Sequence, residues 1–290
     1  MSNLMNNNAE DTITVASVNF HSVFGDKDAN LKNMENYMTR ASEKGVNFIV
    51  FPEVALTGYN LSNEKAYGLA ETIPGPSTER IMKIAVKYDL HVVFGMPEKG
   101  GGNIVYNTAP LITPKGLLGT YRKVHIPIIE PWASSGDEYP VFDTKFGKIA
   151  MGICWEDYCF PEVPRIYALK GVRLLIHLTA TPDFGNLKDT QESILGQLKA
   201  RVHENGFYIV SADLVGQEGD TTFVGYSAIV GPRPDVMTPQ IYAGPASDMK
   251  EEMLIATLDL SLVNKKHPAL AYILSRRHPH TYLSLTSDEY

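Results

Sequence analysis

Apolar positions along the chain alternate between two spacings. Residues 12–20 (TITVASVNF) are rich in β-branched side chains and predict a strand. Leu31, Met34, Tyr37, Met38 and Ala41 recur at intervals of three and four, which predicts an amphipathic helix over 28–44. The short apolar run at 48–51 is cut off by Pro52 and predicts another strand. A helix follows over 77–88, with Ser77 or Thr78 as its N-cap, and strands at 91–95 and 108–113. In the strand predicted at 148–154, Ile149, Met151 and Ile153 share one face, and Ala150, Gly152 and Cys154 the other. The small neighbours on the cysteine-bearing face are expected to leave room for a ligand beside the sulfur. Helices over 164–170 and 190–205 and strands over 172–179, 207–213, 222–230 and 253–260 complete the pattern. Strands interleaved with helices throughout indicate an α/β (α+β) layered fold.

Length leaves one large domain or two small ones open at 290 residues. With no repeat, linker or break in composition, one domain over 11–290 is the simplest expectation, preceded by a disordered tail at 1–10. That tail is Asn-rich and lacks the charged and apolar segments of a secretory signal. No apolar run approaches the roughly 18–20 residues of a membrane span. With 26 basic against 33 acidic residues the net charge is −7, which argues against a nucleic-acid or anionic-lipid partner. Two cysteines cannot build a disulfide framework, and a cytoplasmic location is expected.

Three residues stand out for chemistry. Cys154 ends a strand, although a free cysteine is commonly just a small buried hydrophobe. Glu53 follows directly on a buried run, where partial desolvation would raise its pKa into the range of a general base. Its bland alternative is a solvated acid at a strand end. Lys123, in the segment YRKVHIP, is by itself an ordinary surface lysine. Only the fold can bring the three together.

The segments FPEVALTGY (51–59), YRKVHIP (121–127) and GKIAMGICWED (147–157) resemble the signature segments of the nitrilase, or carbon–nitrogen hydrolase, superfamily. The likeness continues through 107–127, 160–180, ARVHENGFYIVSAD (200–213) and GYSAIVGP (225–232), in the family's order. The resemblance implies a four-layer α-β-β-α sandwich, a homodimer or higher homo-oligomer, and no metal or organic cofactor. It implies Glu53 as general base, Lys123 as electrostatic stabiliser and Cys154 as nucleophile. Glu130 matches a second acid that positions substrate or lysine. Trp155 is expected to meet the substrate and to offer its backbone N–H to an oxyanion. The implied reaction is hydrolysis of a small linear amide through a thioester. A nitrile or an N-carbamoyl amine is the alternative substrate, and a non-catalytic interaction module the alternative of another kind. One departure is visible: Phe160 lies six residues beyond Cys154, one more than in many members.

Other features carry less. Cys159 has no second Cys/His pair to complete a metal site, and His278 and His280 are expected to be solvated. Gly100–Gly102 lacks the residues of a phosphate loop and predicts a hairpin turn. Gly225-Tyr-Ser227 lacks the last glycine of a serine nucleophile elbow.

Overall fold

The computed structural model describes residues 9–236, 238–247, 249–263 and 268–286. Most of the expected tail, and the last four residues of the chain, lie outside the described residues. The first half runs β1 (Thr12–Asn19), α1 (Lys27–Glu43), β2 (Phe48–Val50), α2 (Asn63–Leu69), α3 (Pro76–Tyr88), β3 (His91–Val93), β4 (Met96–Lys99), β5 (Val105–Thr113) and β6 (Gly116–Arg122). The second continues with β7 (Phe142–Thr144), β8 (Gly147–Ile153), α4 (Trp155–Cys159), α5 (Glu162–Leu169), β9 (Leu174–Thr179), α6 (Leu187–Asn205) and β10 (Tyr208–Asp213). It closes with β11 (Val215–Glu218), β12 (Thr221–Val224), β13 (Ala228–Gly231), β14 (Gln240–Ala243), β15 (Glu252–Asp259) and α7 (Pro268–Ser275).

Two large sheets result. One has the order β15-β1-β2-β3-β5-β4 with β6 also on β5, and the other β14-β13-β10-β9-β8-β7. Strand alternation divides the core into three layers of side chains. Val15, Phe48 and Val93 point inward from the first sheet and meet Ile149, Met151, Ile176 and Val210 of the second. Ala16, Ile49 and Val92 point the other way, against Leu31, Met34 and Met38 of α1 and Ile81 and Ala85 of α3. On the far side, Ala150, Leu175 and Ile209 pack against Val163 and Tyr167 of α5 and Ile194, Leu198 and Val202 of α6. Helix, sheet, sheet and helix therefore stack as a four-layer α-β-β-α sandwich, the architecture implied by the resemblance.

Local chemistry shifts several expected boundaries. The helix α3 is capped at Gly75 rather than at Ser77 or Thr78, because Pro76 takes the first helical position. Thr78 lies one turn inside and accepts the Gly75 N–H on its hydroxyl. The expected strand at 91–95 ends early as β3, and a further strand, β4, follows it; the two share one edge of β5 on either side of Phe94–Gly95. The expected strand at 222–230 also splits, into β12 and β13 in different sheets, at Gly225 with φ +52. Gly100–Gly102 forms the predicted turn between β4 and β5. No helix among the described residues is long and apolar enough to cross a membrane.

Candidate active site

Glu53, Lys123 and Cys154, scattered in sequence, converge at strand ends. Glu53 lies three residues past β2 in a loop that Gly95 holds down. The Gly95 N–H donates to the Pro52 carbonyl, and a Cβ on Gly95 would come within 2.1 Å of Val54 N and 2.6 Å of Glu53 Cα. Lys123 directly follows β6, its N–H donating to the Asn107 carbonyl.

Cys154 follows β8 as the residue before α4, with φ 58 and ψ −123. That positive φ is rare for a side chain with a Cβ and marks a strained turn. It also ends the alternation expected from sequence, because the backbone turns before Cys154 can share the face of Ala150 and Gly152. The space beside Gly152 is not a ligand site. A Cβ there would lie 2.0 Å from Asp157 Oδ2, so the glycine makes room for the first turn of α4.

At the centre, Lys123 Nζ donates to Glu53 Oε1 at 2.7 Å and to Glu130 Oε1 at 2.5 Å. All three side chains are wholly buried. Asn107 Nδ2 bridges the same two carboxylates, 2.8 Å from Glu53 Oε1 and 3.0 Å from Glu130 Oε2. Tyr59 Oη donates to Glu130 Oε1 at 2.8 Å. Glu130 thus accepts three donors, whereas Glu53 keeps Oε2 without a hydrogen-bond partner. The Cys154 thiol is close enough to influence the ionisation of Glu53, and Thr179 Oγ1 donates to Cys154 Sγ at 3.3 Å.

Burial sets the proton balance. It pushes the Glu53 carboxyl up to about 8; the Lys123 charge opposes this and the Glu130 charge adds to it. Burial, with Glu53 nearby, also holds the Cys154 thiol well above its ordinary value. Burial alone would lower Lys123, but Glu53 and Glu130 outweigh it and keep the ammonium charged. Near neutral pH the resting site therefore holds protons on both Glu53 and Cys154, beside a permanent cation.

A second set of buried polar groups supports these. Glu156 Oε1 accepts the Val124 and His125 N–H groups, each at 2.9 Å, and Oε2 accepts Tyr121 Oη at 2.8 Å. This ties the segment carrying Lys123 to the helix that follows Cys154. Arg201 clamps the same helix, donating to the carbonyls of Asp157 at 2.8 Å and Tyr158 at 2.9 Å. His177 Nε2 lies 3.1 Å from the Cys154 carbonyl oxygen, which can only accept, so Nε2 carries the hydrogen and Nδ1 accepts from Ser211 Oγ at 2.9 Å. Burial lowers His177 to about 4 and keeps the ring neutral.

Cys154 opens into a cavity of about 540 Å³. Trp155, where sequence expects a substrate contact, lines it with its ring about one third exposed, and its Nε1–H donates to the His125 carbonyl at 3.0 Å. Trp155 is also the first residue of α4, where a backbone N–H has no intrahelical acceptor. Phe160 stacks on His125 with ring centroids 3.8 Å apart and meets Trp155 edge-on. Cys159 is exposed on the cavity wall, and His278 and His280 are exposed, 5.9 Å apart by ring centroids. Among the described residues no His/Cys/Asp/Glu group is arranged to hold a metal ion.

Sequence reasoning singled out Glu53, Lys123, Cys154, Glu130 and Trp155, and the fold gathers all five. It passed over Asn107, just before a predicted strand, and His177, inside one, although both fall in stretches likened to the family. It quoted Glu156 and Arg201 within motifs without assigning either a place in the site.

The family model described as carbon-nitrogen hydrolase matches residues 14–267. The chain is 34% identical over 264 residues to a probable nitrilase of Schizosaccharomyces pombe, covering 89% of this chain and 93% of that protein. It is 34% identical over 258 residues to a nitrilase of Pyrococcus abyssi, covering 88% and 92%. Among solved structures, a carbon–nitrogen hydrolase from Helicobacter pylori superposes with a TM-score of 0.83 at 23% identity, over 95% of this chain and 98% of that one.

Proposed function

From the premise that this chain belongs to the carbon–nitrogen hydrolase family, and so is an enzyme acting on non-peptide C–N bonds, we propose that it hydrolyses a small linear amide through a thioester on Cys154. The observation that carries this reading is the buried Glu53–Lys123–Glu130 cluster beside a strained, cavity-facing cysteine. Glu53, ionised by loss of its proton, takes the thiol proton on its free Oε2. The thiolate sulfur then bonds to the amide carbon, and the carbonyl oxygen gathers the electron pair. Lys123 and the Trp155 N–H stabilise that oxyanion where its charge develops.

Protonated Glu53 then gives its proton to the nitrogen, the C–N bond breaks, and ammonia or an amine leaves. A water attacks the thioester, Glu53 takes the water's proton, and the carbon–sulfur bond breaks to release the acid and the thiolate. The thiolate recovers its proton from Glu53. A group that is base, acid and base again works best with a pKa near operating pH, and about 8 for Glu53 fits that requirement. Glu130 is accordingly a positioning residue, holding the Lys123 ammonium from the side opposite Glu53.

A nitrile substrate is the second reading, favoured by the names of the two relatives at 34% identity. The test is ammonia release from a panel of matched amides, nitriles and N-carbamoyl amines by the full chain and by Cys154→Ala. Amides turned over by the parent and left intact by the variant are the expected result. A panel on which only nitriles react would replace the amide reading, and a wholly inert panel would favour a non-catalytic role.

A further inference from the structure

We propose that the substrate's arm, the part extending from the scissile bond into the cavity, is an uncharged hydrocarbon or aromatic group, and that arms ending in a carboxylate are rejected. This rests on the hydrolase reading of the site and specifies its substrate. The cavity lining is of two unlike kinds. Tyr59, Trp155 and Phe184 supply flat apolar surface, with Phe184 largely exposed at 76%. The α6 wall offers Thr190, Ser193 and Gln197, which are polar and uncharged. Among the described lining residues the formally charged side chain is Asp189, exposed in the first turn of α6.

Charge along the path points one way. A carboxylate entering a partly dry slot loses solvation that only a cation or several donors would restore. Buried behind Cys154, the Lys123 charge is already matched by Glu130, so no cation is left over there, and Glu53 adds a negative charge in the ionised form that takes the thiol proton. At the mouth, the α6 N-terminus contributes about half a positive charge. That end is capped by the Asn186 side chain, which accepts the Asp189 N–H, and the full charge of Asp189 exceeds it. The lysine nearest in sequence, Lys188, lines a separate groove and pairs there with Glu192 at 3.8 Å. An anionic arm is therefore opposed at both ends, while a neutral arm gains contact with the aromatic wall.

The experiment compares kcat/KM for pentanamide and glutaramate, which share a five-carbon chain and differ in the arm's end, and for 3-phenylpropanamide, whose arm ends in a ring. The matched nitriles pentanenitrile and 4-cyanobutanoate are run beside them. The two neutral amides are expected to exceed glutaramate by at least about tenfold, with the same order for the nitriles. Asp189→Lys is expected to narrow the neutral-to-anionic ratio by at least about threefold, because it reverses the charge at the mouth. Equal or better turnover of the anionic member in whichever pair reacts overturns the charge selection while leaving the hydrolase reading intact. Failure of every amide and nitrile to react overturns the amide and nitrile readings of the site and this inference with them.

Discussion

Replacing Glu130 with Gln tests how the buried cluster sets the catalytic base. Glu53 and Glu130 share one ammonium at 2.7 and 2.5 Å, so the two coordinating oxygens are no more than about 5 Å apart. Like charges at that distance repel by about 3 kcal/mol at an effective dielectric near 20. That repulsion opposes ionisation of Glu53 and corresponds to about two pKa units. In the parent enzyme, log kcat/KM should rise with unit slope and level off near pH 8, where Glu53 ionises. Removing the Glu130 charge makes the Glu53 carboxylate easier to form, so the acid limb moves to lower pH, by about two units. Gln keeps an acceptor for Tyr59 and Lys123 but turns its NH2 toward the Asn107 donor, a local loss that acts on the plateau while the charge acts on the limb. The assay is initial-rate ammonia release across roughly pH 5–10, reading the position of the limb and ignoring the height of the plateau. An unmoved limb, or one displaced upward, would refute the electrostatic account of Glu53.

Two further substitutions probe the scaffold. Gly95→Ala places a methyl group against the backbone of Glu53 and Val54, so it should cost about 1–3 kcal/mol of stability and displace the base. A lower midpoint in thermal melts together with reduced kcat is expected; a variant with parental values in both would show that the loop does not depend on this contact. His177→Ala leaves the Cys154 carbonyl without its ring donor, a loss of about 1–3 kcal/mol, and should lower kcat with little change in KM. His177→Gln, which retains an N–H, should recover part of the rate; kcat unaffected by His177→Ala would remove any positioning role.

The interleaving of strands and helices was legible from periodicity, as in the apolar spacing of α1 and the alternation of β8, whereas the four-layer stacking followed from the resemblance. The three widely separated signature segments pointed to Glu53, Lys123 and Cys154, and the C-terminal ends of β2, β6 and β8, which are not neighbours in either sheet, deliver them to the site. What periodicity could not supply was backbone turning. The alternation through 148–154 placed Cys154 beside Gly152, and only φ 58 at Cys154 reveals that the chain leaves the strand there. Depth was equally hidden. Lys123 sits in a polar-looking segment yet is wholly buried, because two carboxylates and the bridging Asn107 satisfy and balance its charge. Asn107 gave no signal of its own, since its partners lie 54 and 23 residues away.

The central claim is a covalent acyl group on Cys154, and intact-protein and peptide mass spectrometry of acid-quenched reactions tests it most directly. With an amide turning over, the account predicts an adduct of the acyl mass on the peptide containing Cys154, lost in Cys154→Ala together with ammonia release. Continued turnover by Cys154→Ala, or an adduct confined to Cys159, would contradict it.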